Sequence, residues 1–266
     1  GRTFISGSTN VEYLTSLAVK NYFDQGGNTA LITRVVSGSA GWTAADSTPI
    51  SGSTGKATTE IFTLQTIGKG IVYNNVTASD HYTNADELSN GSLKSGSADN
   101  IRWEISNLNK SKGTFTLAIR RGDDNHKNKI ILETFNNLSL DPNDDRYIAK
   151  QIGDQRVTKA TDGENTYVTS VGEYPNRSNY IRVSEVKVQT SNYLGTDGIT
   201  VNVDSGGVSY SASIPAAASG AFGGAAGTNI TNNAKFFKDI NNDVAGIQGL
   251  IGSDYNDAIT ILENKD

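Results

Sequence analysis

A succession of short β-branched and aromatic runs, each closed by Gly, Asp, Asn or Pro, constrains this chain more than any other feature. The runs are Glu60 to Ile67, Ile101 to Ile105, Thr114 to Arg120, Lys129 to Phe135, Tyr167 to Val171, Tyr180 to Val188, Ile199 to Val203 and Val208 to Ile214. Runs of this length read as strands, and strands bury an apolar face only by pairing into sheets that pack on something else. Ile101 to Ile105 and Thr114 to Arg120 alternate apolar with polar residues, the pattern of strands with one face on a core and one toward water. A chain of 266 residues can bury a core without covalent staples. Its 11 Tyr and 8 Phe leave enough apolar surface to argue against disorder.

The two ends read differently. Thr9 with Glu12 three residues on spells a capping box, and Val11, Leu14, Leu17, Ala18, Tyr22 and Phe23 then fall on one helical face. Gly26-Gly27 suits a helix stop. Thr29 to Val36 follows as a near-continuous apolar run, predicted to be a central strand covered on both faces. Ser37 to Ala57 and Pro215 to Asn229 are rich in Ser, Gly, Ala and Thr and are predicted to be connectors. Short helices are expected over Asn143 to Ile152, with Tyr147, Ile148 and Ile152 inward, over Asn233 to Ile240, and over Asp254 to Glu263. The expected class is α+β: a β-rich, sandwich-like domain over residues 37–215, inserted into a partial mixed α/β domain made of residues 1–36 and 216–266.

The net charge is -5 and no Lys/Arg cluster stands out, so nucleic acid is not an expected partner. No run of about 18 apolar residues is present, so no direct membrane insertion is expected. Cys is 0, which excludes disulfides, thiolate metal sites and a cysteine nucleophile. Met is also 0, and without an initiator the chain is expected to be processed or cut from something longer.

Motifs that would carry chemistry fail on spacing. "SGSTGKATT" has a Lys after Gly, but Ile50 and Ala57 stand where a phosphate loop needs Gly and Ser or Thr. Asp141, Asn143 and Asp145 fall at calcium-loop intervals, yet Arg146 and Ile152 replace the required Gly and Glu, and helix capping explains the cluster better. His81 and His126 lie in polar segments with no nucleophile elbow elsewhere, so both read as solvated surface residues. The acidic pairs Asp123-Asp124, Asp144-Asp145 and Asp254/Asp257 read as turns and helix starts. Arg121-Gly122-Asp123 spells an adhesion tripeptide of a kind that arises by chance, and the sequons at Asn75, Asn137 and Asn229 follow from composition. The expectation is no catalytic residue, no cofactor-binding residue and no metal ligand, hence no enzyme.

The order of these signals resembles the contractile tail sheath proteins of bacteriophages, of the T-even-like and giant-phage type. The helix, glycine stop and run ending in Arg34-Val35-Val36 is similar to the family's helix, glycine turn and strand. "FTLAIRRGDDNHKNKIILETFNNLSLDP", Phe115 to Pro142, is similar to its paired strands, with Glu133, Phe135, Asn137, Leu138 and Ser139 in the second strand and Tyr147 and Ile148 in the helix beyond. Phe222-Gly223-Gly224 and the helix with Asp254, Tyr255, Ala258 and Leu262 resemble its closing segments. The family's Gly-x-Trp-Gly-Asn turn is replaced by Gly70 to Asn75, and its N-terminal arm and large C-terminal domain have no counterpart. The resemblance implies a structural subunit that polymerises helically on a tail tube and contracts without a nucleotide, by subunits moving as rigid bodies between two packings. It implies other sheath subunits and the tube as partners, the virion as location after assembly in the host cytoplasm, and a monomer for this chain by itself. Three alternatives stand beside it: the sheath of a bacteriocin-like injection machine, a non-catalytic adhesin or carbohydrate-binding module with an aromatic groove around Trp42, Tyr73 and Tyr82, and a hydrolase using an unrecognised carboxylate pair.

Overall fold

A computed structural model of the chain describes residues 3–6, 9–12, 14–33, 35, 42–52, 60–76, 87–163, 165–227 and 252–263. Strand takes 38% and helix 16%, which places the chain in the β-rich α+β class. It divides into two compact units, one of Gly1–Trp42, Lys159–Thr169 and Thr228–Asp266, the other of Thr43–Thr158 and Ser170–Gly227.

The first unit opens with a hairpin of β1 (Thr3–Ser6) and β2 (Thr9–Glu12), paired antiparallel. Thr9 and Glu12 are therefore strand residues and not the start of a helix: the chain satisfies their backbone groups across the hairpin. Helix α1 (Leu14–Asp24) follows and ends as expected, with Gly26 at φ 94 and the Gly27 N–H on the Tyr22 carbonyl at 2.9 Å. The expected strand at Thr29 to Val36 is not formed over residues 29–33, where Leu31 and Ile32 are exposed. An apolar run becomes a strand only where a ladder partner is available, and none pairs with it among the described residues. Helix α3 (Gly252–Glu263) forms where predicted, while Asn233 to Ile240 lies outside the described residues. No apolar side chain of this unit is buried among the described residues.

The core belongs to the second unit. Its short early strands are β3 (Ala44–Ser47) and β4 (Ile50–Ser51), followed by β5 (Glu60–Lys69), β6 (Ile101–Asn109), β7 (Thr114–Arg121) and β8 (Ile131–Ser139). Helix α2 (Ile148–Ile152) is shorter than predicted but buries Ile148 and Ile152 as expected, with Tyr147 buried just before it and Ala149 buried as well. β9 (Arg156–Asp162) and β10 (Asn165–Val171) form a separate two-stranded ribbon that runs into the first unit. β11 (Ile181–Val186), β12 (Ala218–Gly220) and β13 (Phe222–Gly223) complete the sheets. One sheet has the order β11-β5-β3-β13 with β4 also on β5; the other has the order β12-β6-β7-β8. Both are antiparallel. They share one core, in which Phe62 of β5 stacks on Phe115 of β7 with ring centroids 5.8 Å apart.

Three sequence readings change here. The described parts of the two predicted connectors contribute to the sheets: Ala45 and Phe222 are fully buried, and β13 pairs with β3. Residues 216–227 thus belong with the β-rich unit. The reason is room: Gly220 runs so close to Trp103 and Thr48 that an added Cβ would overlap the Trp103 ring and Thr48 Oγ1, so a small-residue composition marks a tight crossing and not a flexible one. Ile199 to Val203 and Val208 to Ile214 form isolated bridges, Leu194 with Val201 and Val203 with Ser209, and one 3-10 turn over Tyr210–Ala212. Finally, β7 is buried on both faces from Thr114 to Arg120 instead of on one.

Candidate functional site

The doubly buried strand β7 collects the most deeply buried charges among the described residues. Side chains alternate across a strand, so Trp103 and Ile119 on the core face leave Arg102 and Arg120 on the other. The register sets Arg102 directly opposite Arg120, and both are fully buried. Two like charges opposed across a ladder repel, and the turn after β7 supplies what separates them. Asp124 accepts from Arg120 Nε and Nη2 at 2.7 Å each, from the Ile130 N–H at 2.9 Å, and from Arg102 Nη1 at 3.4 Å. Glu104 takes Arg120 Nη1 at 3.0 Å and also pairs with Lys129. Arg102 Nη2 pairs with Glu87, whose Oε1 also accepts from Ser219 Oγ at 2.7 Å. Burial, with the Arg120 charge second, lowers the Arg102 guanidinium to about 10.

The cluster is closed on itself except at Arg102 Nε, which has no hydrogen-bond partner. Three cations (Arg102, Arg120, Lys129) face three carboxylates (Glu87, Glu104, Asp124), and each carboxylate is held by a guanidinium. Such a set locks the 122–130 turn onto the sheet. Sequence reasoning missed it because Arg102, Glu104 and Arg120 look like a solvent face. The one signal present was that Arg102 and Glu104 stand two apart on β6, on the face that Arg120 shares in β7.

The residues singled out from sequence find local uses. Asp123 lies outside the cluster, where it takes Arg121 Nε at 2.6 Å and Nη2 at 3.0 Å, so the adhesion tripeptide is closed on itself by its own ion pair. Asp141 Oδ1 accepts from the Asn143 N–H at 3.0 Å and Asp144 Oδ1 from the Arg146 N–H at 2.9 Å, turn bonds that precede α2 instead of capping it. Asp257 pairs with Lys159. His126 is half-exposed, with Nε2 3.9 Å from Glu87 Oε2. His81, Tyr82 and the stretch 53–59 that holds the failed phosphate loop lie outside the described residues. Tyr73 packs against the core. No group of three or more metal-ligating side chains converges among the described residues.

A groove of about 460 Å³ opens on the β3–β5–β11 sheet, lined by Asp46, Glu60, Thr63, Gln65, Ser184 and Lys187 among others. Its polar groups are tied to each other: Gln65 donates to Asp46 at 2.8 Å, Thr63 to Glu60 at 2.6 Å, Lys187 to Glu60 at 2.6 Å. Arg182 donates to Gln65 at 2.9 Å, and burial, then the Arg156 charge, lowers its guanidinium. No aromatic ring lines the groove.

A more telling site was invisible in sequence. Asn75 is fully buried where the two sheets and the 218–225 segment meet. Its Nδ2 donates to the Ile101 carbonyl at 2.6 Å, its Oδ1 accepts from the Phe222 N–H at 2.5 Å, and its own N–H donates to the Phe222 carbonyl at 2.7 Å. Neighbouring Asn74 grips Ala225 in the same two-way manner, at 2.9 Å and 2.9 Å. The Gly70 to Asn75 turn is a clasp that fastens a late segment between two sheets. Compared with protein-family models, curated proteins and solved structures, the chain matches none. No described helix is long and apolar enough to cross a membrane.

Proposed function

We propose that this chain is a structural subunit of a contractile tail sheath of the bacteriophage type, assembling in copies around a tail tube within the virion and acting by shifts between packed copies. The observation that carries the reading is what becomes of the segment Phe115 to Tyr147, on which the resemblance is most specific, and of Ile148 next to it. Its distinctive residues all hold the block together. Leu138, Tyr147 and Ile148 are buried and Phe135 packs on the same core. Asn137, at φ 56, turns the bulge at which β8 opposes Leu117 with Phe135 and Phe115 with Leu138. Glu133 clamps the next segment by accepting from Ser178 Oγ at 2.5 Å and the Asn179 N–H at 2.9 Å. Ser139 pairs with Tyr147 and accepts from the Asp141 N–H at 3.0 Å. A stiff block fastened by buried charge and by the Asn74–Asn75 clasp is the component that rigid-body contraction needs, since interfaces switch between discrete packings when the units themselves do not yield. The helix-glycine-run unit at residues 11–36 lends less support, because its strand is not formed in residues 29–33.

Immunogold electron microscopy on particles from cells that make this protein tests the reading. Label spaced along regular tubes of one diameter, and along shorter, wider contracted tubes, is the expected result. Label on fibre tips or the cell surface, with tubes bare, rejects it in favour of an adhesin. Labelled tubes that never carry a filled head point to the bacteriocin-like machine.

A further inference from the structure

Asn90-Gly91 is the only Asn-Gly pair in the chain, and its surroundings favour reaction of the pair with itself. The turn is exposed at Asn90 and is closed by the Gly91 N–H on the Leu88 carbonyl at 2.7 Å. The Asn90 side-chain Oδ1 accepts two hydrogen bonds from Ser92, from its N–H at 3.0 Å and its Oγ at 2.6 Å. Two donors on one amide oxygen polarise its carbon and stand where negative charge develops when that carbon is attacked. Gly91 has φ 78, and the His126 ring packs so close to it that an added Cβ would overlap the imidazole. Glu87 Oε2 lies 3.9 Å from His126 Nε2, and the His126 backbone N–H donates to the Asn90 carbonyl at 3.4 Å.

We propose that Asn90 is a self-modifying site whose product is read by the buried Arg102 cluster. The Gly91 nitrogen bonds to Asn90 Cγ, and Oδ1 carries the transient negative charge under the two Ser92 donors. The Gly91 proton passes to His126 and on to the leaving Nδ2. The Cγ–Nδ2 bond then breaks, ammonia departs, and a five-membered imide remains. Water opens the imide to aspartate or, with the main chain rerouted through Cγ, to isoaspartate. One water is consumed and one ammonia released, with no change of oxidation state. The bond from Gly91 to Leu88 must open first, which makes the turn a slow clock. The readout is built in, because the Gly91 carbonyl accepts from Arg102 Nη1 and Arg102 Nε has no partner of its own. An isoaspartate adds one methylene to the main chain just before that carbonyl and pulls it off the guanidinium.

The test is peptide mass mapping of the purified chain held near neutral pH at physiological temperature, with isoaspartate resolved by fragmentation. The Asn90 peptide is expected to convert ahead of every other Asn peptide, and at least as fast in the folded chain as in urea. Ser92→Ala is expected to slow the folded reaction about ten-fold, the scale of one lost oxyanion donor in a partly wet site, and to leave the rate in urea unchanged. The aged protein should melt below the fresh one, and Asn90→Gln should melt the same before and after ageing. A folded chain in which Asn90 converts more slowly than in urea, or a Ser92→Ala chain that converts as fast as the original, overturns the proposal.

Discussion

Replacing Asp124 by Asn tests the buried charge cluster at its centre with almost no change of volume. In the native chain this one carboxylate holds two bonds from Arg120 and one from the Ile130 N–H and faces Arg102 Nη1. An amide keeps one acceptor, turns two donors toward guanidinium N–H groups, and removes the negative charge between two opposed cations. The repulsion that reappears is roughly 3 kcal/mol for unit charges about 5 Å apart at an effective dielectric near 20. Lost charge-assisted bonds add to it, and breaking a buried pair by removing one partner costs about 3–5 kcal/mol as a rule. Urea unfolding followed through Trp103, which is buried in the same sheet, reads this directly. With a slope of about 2–3 kcal/mol per molar urea, the midpoint should fall by about 1–2 M at unchanged slope. Asp123→Asn is the control: its pair with Arg121 is about one-third exposed on both sides, and exposed pairs contribute about 0–1 kcal/mol. If Asp124→Asn unfolds within about 1 kcal/mol of the native chain, or no earlier than Asp123→Asn, the cluster does not hold the sheet and the reasoning fails.

Three further outcomes are expected. Asn75→Ala strands the Phe222 N–H and the Ile101 carbonyl inside the protein, a cost of about 2–4 kcal/mol; hydrogen exchange should show the Phe222 amide losing its protection before the β6–β7 amides do. Gly220→Val drives a side chain into Trp103 and Thr48, costs about 1–3 kcal/mol or more, and should red-shift the Trp103 emission, whereas a valine there with native stability would show that the crossing is loose. Burial raises the Tyr193 phenol to about 12 from an ordinary 10.0, so the neutral form is favoured in the folded chain; the stability it lends is complete below about 10 and is lost as pH rises through about 12. Burial raises the Tyr147 and Tyr174 phenols too, so ultraviolet titration should show late phenols of which Tyr193→Phe removes one, and superimposed curves would contradict the assignment.

The strands were legible wherever apolar residues come in runs. β5, β6, β7 and β11 fall where periodicity places them because much of each strand is core; β8 and β10 form where predicted as well, although most of their side chains face outward. The helix ending at Gly26 was legible for a different reason: a left-handed residue after a helix is a local requirement, readable without knowing what the helix packs on. What failed was every inference that treated composition as a substitute for partners. Ala44–Ser47 and Ala218–Gly223 look like linker because their side chains are small, yet they are strands whose small side chains let two sheets and Trp103 close on them. Thr29 to Val36 looks like a strand because its side chains are β-branched, yet no ladder partner reaches residues 29–33 among the described residues. Pairing is a property of two segments, and a single-segment reading cannot supply the second.

The polar residues that matter most were hidden by the same gap. Arg102, Glu104 and Arg120 alternate with core residues and so read as a wet face; only the covering turn, with Asp124 aimed inward and Asp123 outward, makes them interior. Asn75 is one asparagine among many until Ile101 and Phe222 arrive on either side of it. Both devices share a consequence that bears on the proposed role. Apolar packing tolerates small slides, whereas a bidentate guanidinium pair and a two-way amide clasp have one satisfied geometry each and lose several bonds together when displaced. Force applied to such a block should therefore appear at its surface contacts before its interior shears. That is the mechanical condition for a unit that works by moving whole against its copies, and the Asp124→Asn chain, if it folds, should fail to meet it.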